Sequence, residues 1–291
     1  MMERRMIGEL VQVPAGAVHV RQDGPADGKP IVLLHGFEGS VHWWDGLTPL
    51  LADTYRVIRV DLLGFGCTTG EPGFDQRAQS EMLTAVLEQF EVTDATAVGH
   101  SWGADSALGL AELSGRVSEV VVVDQAPDCD EIRILRVMRP VLRLLGWAPI
   151  GRAVHALLNN DVLLRRALGA GFARGFDPDA NGPGWSQLRS DHRAMCWRAN
   201  RAVMVERPLA LTVRPLDAQI CALGLPALVI HGRHDSLYAW RNTTERYAAA
   251  GARVEVIDTA GHSPNVEAPD QVAAAIRDFL ANPSRTRSAA S

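Results

Sequence analysis

Lysine is nearly absent from this chain. Lys29 is the only one, so arginine supplies 28 of the 29 basic residues. Genome composition is the plain explanation; the alternative is selection for planar, bidentate recognition of anions. Cysteine is sparse too. Cys67, Cys129, Cys196 and Cys221 fall without metal-ligand or disulfide-framework spacing, which makes a reducing, cytoplasmic setting the expectation. No apolar run approaches the ~18 residues of a membrane span, so no membrane partner is expected. The first ten residues, MMERRMIGEL, are charged and lack the apolar stretch of a secretory signal. Positive charge is not in excess: the formal net charge is -5, which speaks against a nucleic-acid partner. What is abundant is apolar surface. A 47% hydrophobic content over 291 residues can bury a sizeable core and excludes wholesale disorder. The length fits one large domain, or one domain carrying an insertion.

Short β-branched runs alternate with helical-length segments. Ile31–Leu34, Arg56–Asp61, Thr96–Gly99, Val117–Asp124, Ala227–His231 and Val254–Asp258 read as buried strands, apolar throughout as strands covered on both faces are. Trp44–Ala52, Gln76–Phe90, Trp102–Leu113, Asn242–Ala250 and Pro269–Leu280 read as helices. The alternation predicts a doubly wound, mostly parallel α/β sheet with right-handed crossovers. Ahead of it, Leu10–Val13 and Val18–Arg21 flank Pro14-Ala15-Gly16 as an antiparallel hairpin. The pattern breaks between Pro127 and Pro215, where three helical segments (131–146, 152–174 and 187–206) and a Gly/Pro/Asp-rich loop (175–184) show no strand pattern. We therefore expect a core of residues 1–126 and 216–291 with a helical insertion, 127–215, between the sixth and seventh strands. Charge divides along the same line. The insertion holds 14 arginines and 8 acids, the remainder 15 basic and 26 acidic residues. A basic insertion facing solvent or drawn to an acidic core is the first explanation, and steering of an anionic substrate group is the sharper one.

Three features carry chemistry. Gly99-His100-Ser101-Trp102-Gly103 follows a strand and opens a helix. A sharp turn there exposes the serine at a helix N-terminus, where free N–H groups and the dipole favour negative charge. His35-Gly36-Phe37 follows the strand at Ile31, so the Phe37 and Trp102 amides are the candidate pair of oxyanion donors. Asp235 closes His231-Gly232-Arg233-His234-Asp235, and His262 lies in Ala260-Gly261-His262-Ser263 after the last strand. A serine hydroxyl becomes a nucleophile when an imidazole takes its proton, and the imidazole needs a carboxylate to fix its tautomer. The order Ser101, Asp235, His262, each at the carboxyl end of a strand, fits that arrangement.

On HGFEGS (35–40), DLLGFG (61–66), GHSWG (99–103), HGRHD (231–235) and AGHSPNVEAPD (260–270), the chain resembles the α/β-hydrolase superfamily from Ile31 to Leu280, with the insertion as a helical cap. The resemblance implies a triad of Ser101, Asp235 and His262 and an oxyanion hole from Phe37 and Trp102. The serine separates the chain from the haloalkane dehalogenases and epoxide hydrolases, which use aspartate there. The expected activity is cleavage of a carboxylic ester, thioester or lactone of a small, partly apolar molecule through an acyl-enzyme. Perhydrolase, C–C hydrolase or biosynthetic cyclase/lyase chemistry on the same triad, or a small-molecule receptor, are the alternatives. Ser263 after the histidine counts against the C–C hydrolases, and His100 against proline iminopeptidases.

Other residues take second place. Asp124, after the strand at Val117, rivals Asp235 as the acid. Gly36, Glu38, Trp43 and Trp197 are the substrate-binding candidates, although Glu38 can equally cap a turn and one of Trp43 and Trp44 belongs to the core. Met138, Trp147, Phe172, Trp185, Met195, Trp197 and Met204 are apolar candidates for a cap pocket. Asp105 needs only the helix dipole to explain it. The glycines at 64, 66 and 70 miss the dinucleotide spacing, and His231 and His234 find no further ligands. No cofactor and no metal are expected, and the protein is expected as a monomer or homodimer.

Overall fold

The computed structural model describes residues 7–70, 73–128, 148–157 and 159–283. Eight strands form one sheet: β1 (Glu9–Val13), β2 (Gly16–Asp23), β3 (Pro30–Leu34), β4 (Arg56–Val60), β5 (Ala95–His100), β6 (Val117–Val123), β7 (Ala227–Gly232) and β8 (Arg253–Ile257). Their order is β1-β2-β4-β3-β5-β6-β7-β8. The β1–β2 and β2–β4 pairs are antiparallel and all others parallel. The hairpin thus extends one edge of a doubly wound sheet. Strands β3, β5 and β7 are buried almost throughout, as their unbroken apolar runs require. At the far edge β8 is only half-buried, and its sequence Arg-Val-Glu-Val-Ile alternates accordingly.

The helices at the site are α1 (Thr48–Leu51), α2 (Gln76–Gln89) and α3 (Trp102–Ser114). Of the helix expected over 44–52 only α1 is α-helical, following a 3-10 turn at Val41–Trp44, and Pro49 sits in its first turn, where the missing N–H costs nothing. Between β6 and β7 the described residues are helical: α4 (Ala148–Leu157), α5 (Asp161–Gly169), α6 (Pro178–Asn181), α7 (Trp185–Ala194), α8 (Trp197–Arg201), α9 (Arg207–Val213) and α10 (Leu216–Leu223). The helix expected over 131–146 lies outside the described residues. The expected 152–174 segment is two helices, since Asn160 ends the first and caps the second by accepting from the Val162 and Leu163 amides. The loop expected over 175–184 contains the short α6. The 187–206 segment breaks at Met195-Cys196 and continues through a turn of π-helix into α9. After β7 come α11 (Trp240–Ala249), α12 (Pro264–Glu267) and α13 (Pro269–Ala281).

Two apolar layers sandwich the sheet. One packs α2 and α3 against β-strand residues such as Val32, Ala97 and Val122; the other packs Trp44, Val272, Ile276 and Phe279 against Ile31, Val98 and Leu228. A third, smaller cluster joins Trp43 and Val266 to Phe172 and Leu188 of the insertion. No helix among the described residues is long and apolar enough to cross a membrane.

Candidate active site

Strand β5 delivers Ser101 to the start of α3 with φ 48 and ψ -121, a conformation that costs an L residue about 1–3 kcal/mol. Close packing around the turn holds it there. A Cβ on Gly99 would lie 2.2 Å from the Gly103 carbonyl oxygen, and one on Gly103 would lie 2.1 Å from that of Leu34. Glycine at both positions lets strand, turn and helix approach. Glu38 and Asp124 also take positive φ, 58 and 48, at the carboxyl ends of β3 and β6. Three of the five non-glycine residues with positive φ among the described residues thus lie at the end of the sheet where the candidate residues meet; Glu91 and Asp94, ahead of β5, are the others.

The structure brings Ser101, His262 and Asp235 together. His262 Nε2 stands 3.1 Å from Ser101 Oγ, and its Nδ1 stands 3.2 Å from Asp235 Oδ2. All three residues are buried. Asp235 is fixed by the Leu237 amide, which donates to its Oδ1 at 2.6 Å, and by that of Tyr238 at 3.3 Å. Burial works against charge on both partners, but mutual attraction wins: Asp235 is held well below the usual carboxylate range and His262 is raised above its ordinary value. Asp124 adds to this environment, with Oδ1 3.4 Å from His262 Nδ1. The imidazole therefore faces two carboxyl groups.

His262 sits in a well-braced loop. Glu267 accepts from the Gly261 and Ser263 amides at 3.0 and 3.1 Å and, through its other oxygen, from Ala173 of the insertion at 2.6 Å. His100 donates through Nε2 to the His262 carbonyl at 2.8 Å; a carbonyl only accepts, which fixes that tautomer. Burial, with the neighbouring His262, pushes His100 down to about 3, so it stays neutral at physiological pH. Tyr238 sets its ring edge-on to His262, centroids 4.9 Å apart, and donates to Gln125 Oε1 at 2.7 Å.

The Phe37 and Trp102 amides enter no hydrogen bond among those of the described residues, and Trp102 opens α3, where the first N–H has no intrahelical acceptor. The loop that carries Phe37 is set by His35, which accepts from the Leu62 amide through Nε2 at 3.0 Å and donates through Nδ1 to the Gly36 carbonyl at 2.8 Å. Gly36 is obligatory, since a Cβ would meet His100 Nδ1 at 2.7 Å.

The remaining candidates separate. Trp43 stacks between His100 and Phe172, at 5.7 and 6.1 Å, while Trp44 is core. Glu38 does not cap a turn: it is buried and pairs through Oε1 with His192 Nδ1 of α7 at 2.9 Å. Trp197 stands apart, with His155 as its ring neighbour at 6.5 Å. Phe172 and Trp185 join the small cluster with Trp43, Met195 joins the main core, Met204 is half-buried, and Met138 and Trp147 lie outside the described residues.

Several residues went unassigned in the sequence. Asp105 does not rest on the helix dipole alone: Arg207 of α9 grips it through Nε at 2.8 Å and Nη2 at 3.1 Å. Its partner lies 102 positions away, and no local spacing signals it. Glu267 and His100 had a signal, since both lie inside the quoted motifs. His192 and Asp191 had none beyond being polar residues on an amphipathic helix.

The family model described as alpha/beta hydrolase fold matches residues 29–269. Among curated proteins, a 107-residue stretch is 40% identical to the magnesium-chelatase 30 kDa subunit of Rhodobacter capsulatus, covering 36% of this chain and 37% of that protein's length. Esterase YbfF of Escherichia coli (strain K12) is 28% identical over 254 residues, 86% of this chain and 92% of that protein. Among solved structures, naproxen esterase from Bacillus subtilis superposes with a TM-score of 0.75 at 19% identity, covering 95% of this chain and 92% of that one.

Proposed function

The chain belongs to the α/β-hydrolase fold family and is a hydrolase, and from that premise we propose that it cleaves a carboxylic ester of a small, partly apolar molecule through an acyl-enzyme on Ser101. The observation that carries the reading is the line from Ser101 Oγ to His262 Nε2, 3.1 Å, and from His262 Nδ1 to Asp235 Oδ2, 3.2 Å, inside a buried site. The likeness to esterase YbfF over most of both chains supports the bond class.

In this mechanism Ser101 Oγ attacks the ester carbonyl as its proton passes to His262 Nε2. The imidazolium is oriented and stabilised by Asp235 through Nδ1. The Phe37 and Trp102 amides donate to the oxyanion, each worth ~3–4 kcal/mol of transition-state stabilisation where such donors have been removed. His262 then returns the proton to the leaving alcohol and later draws one from water, whose oxygen releases the acyl group. Residues 127–215 act as a cap, with Trp43 and Phe172 forming an apolar wall where the insertion meets the core.

The test is pre-steady-state turnover of short- and medium-chain p-nitrophenyl esters. The native protein gives a burst of one equivalent of p-nitrophenol, and Ser101→Ala loses both burst and turnover while keeping the native melting temperature. Turnover at the native rate in a folded Ser101→Ala protein refutes the proposal. Tight binding of an ester or lactone with no turnover by the native protein points instead to a receptor.

A further inference from the structure

Asp124 has no part in the mechanism above, yet it is fully buried at the end of β6 with its carboxyl group against His262. Its Oδ2 accepts the Gly232 amide at 2.7 Å, a bond that by itself would only brace β6 to β7. Its Oδ1 is different. That atom is buried and has no hydrogen-bond donor aligned with it, while it lies 3.4 Å from His262 Nδ1 and 3.2 Å from His231 Nε2. The ligand atoms of Asp124, Asp235 and His262 all lie within 4.8 Å of one another.

The protons around Oδ1 can be assigned. His231 Nδ1 stands 3.1 Å from the Gly232 carbonyl, which only accepts, so the His231 proton is on Nδ1 and Nε2 offers a lone pair. Burial holds His231 below its ordinary value and therefore neutral. His262 must keep Nε2 free to take the Ser101 proton, so its own proton is on Nδ1, directed at the nearer acid, Asp235. Oδ1 of Asp124 thus meets a lone pair from His231, a carboxylate from Asp235 and an N–H already engaged. Such surroundings call for a hydroxyl donor. Two ionised carboxylates at this separation in a buried site repel strongly, so one of them keeps its proton. The Asp235 carboxylate takes two backbone donors and Asp124 takes one, which makes Asp235 the ionised member. Of the other titratable groups around His262, His100 and Tyr238 are neutral, since burial holds the first at about 3 and the second above its usual value, and Glu267, raised by burial, is turned onto the Gly261 and Ser263 amides.

We propose that Asp124 is a positioning residue held as the neutral carboxylic acid, its O–H directed at Asp235, so that the two carboxyls present one shared negative charge to His262, and that Asp124 becomes the orienting acid when Asp235 is removed. In that event the Asp124 proton leaves to solvent and the carboxylate accepts the His262 Nδ1–H. The inference rests on the serine mechanism above, and burial, which keeps Asp124 well above the usual carboxylate range, agrees with it.

The experiment follows the rate of Ser101 modification by a fluorophosphonate, read by intact mass as a function of pH, alongside p-nitrophenyl acetate turnover. Asp235→Ala is expected to label Ser101 at least 30-fold faster than His262→Ala, and adding Asp124→Asn to Asp235→Ala is expected to remove that advantage, for a total loss of about 10⁴-fold, the scale of losing the orienting acid altogether. Asp124→Ala in the native background removes the donor to Asp235, leaves more charge facing His262 and moves the acid limb of the labelling rate to higher pH by at least half a unit. Labelling by Asp235→Ala at the His262→Ala floor overturns the proposal, as does an acid limb displaced to lower pH in Asp124→Ala, which would mean that Asp124 is ionised. The Asp235→Ala comparison leaves the Gly232 bond intact and so stands even where Asp124 variants fold poorly. Normal labelling without ester turnover would sink the proposed bond class and leave the Asp124 comparison readable; no labelling of the native protein would overturn both.

Discussion

Arg207 ties the insertion to the helix that begins at Ser101, and the strength of that tie can be worked from its geometry. Arg207 is 8% exposed and Asp105 2%, and the guanidinium meets the carboxylate as a fork at 2.8 and 3.1 Å. Asp105 also accepts from Gln125 Nε2 at 2.9 Å, and its carbonyl accepts from Gln76 Nε2 at 2.6 Å. Removing one partner of a buried pair costs about 3–5 kcal/mol, because the survivor is left charged away from water. A cavity of about 310 Å³ lies beside the pair, lined by Trp102, Leu211 and Gln219 among others. It can admit water to the orphaned carboxylate, which places Arg207→Met at the lower end, about 3 kcal/mol. For a chain of this size that is a fall of roughly 6 °C in melting temperature. In Arg207→Met/Asp105→Asn both charges go, the amide oxygen still accepts from Gln125, and at least half of the loss is recovered. Differential scanning calorimetry of the native protein, both single variants and the double closes the cycle. A melting temperature within about 2 °C of native for Arg207→Met, or a double variant no more stable than that single one, refutes the reasoning.

Asp191 on α7 is buried, with one oxygen bonded to Gln187, and burial pushes its carboxyl up to about 7. Because the folded state then holds the proton more tightly than the unfolded chain, whose value is near ~3.9, stability is full below pH ~4, falls as pH rises towards 7 and is level above; Asp191→Asn flattens that slope, and an unchanged slope in melting temperature against pH counts against it. His100→Ala removes the hydrogen bond that holds the His262 carbonyl, so kcat for p-nitrophenyl acetate falls roughly 10²-fold with KM little changed, and a native kcat would deny His100 that role. Gly103→Ala drives a Cβ onto the Leu34 carbonyl oxygen at 2.1 Å and is expected to lower both melting temperature and Ser101 labelling, whereas Gly169→Ala, with nothing within 4 Å of its added Cβ, leaves both at native level; equal effects at the two positions would show that the close approach at Gly103 is not rigid.

The core of this molecule was legible because its signals are local. Unbroken apolar runs give strands buried on both faces, Gly99 and Gly103 mark a turn that only glycine can pack, and Ser101, Asp235 and His262 each sit one to five residues past a strand. Side chains that act across the chain were not legible. Asp235 and Asp124 end neighbouring strands and look alike in sequence; what separates them is that the loop after β7 turns two amides onto Asp235, a matter of backbone path. Glu38 reads as a turn residue until α7 brings His192 to it from 154 positions away. The insertion was read as three helices where the chain makes more, shorter ones, because periodicity carries through Asn160 and Met195-Cys196 while capping and hydrogen bonding do not.

The scarcity of lysine gains a physical reading from those same long-range pairs. Arg214 grips Glu112 of α3 with two parallel bonds of 2.7 Å each, and Arg207 grips Asp105 on the same helix, so two forks join the insertion to the helix behind the nucleophile. Arg165 lies 4.8 Å over the Trp185 ring within the insertion, and Arg198 lies 5.1 Å over that of Phe74, a contact from the insertion to the core. Fork pairing needs a planar guanidinium, and an ammonium point charge cannot replace it. Arginines engaged with α3 and with aromatic rings are not free to draw in an anionic substrate. Arg198, Arg207 and Arg214 therefore serve to join the insertion to the core, and substituting lysine at 207 or 214 would keep the charge while losing one bond of each fork.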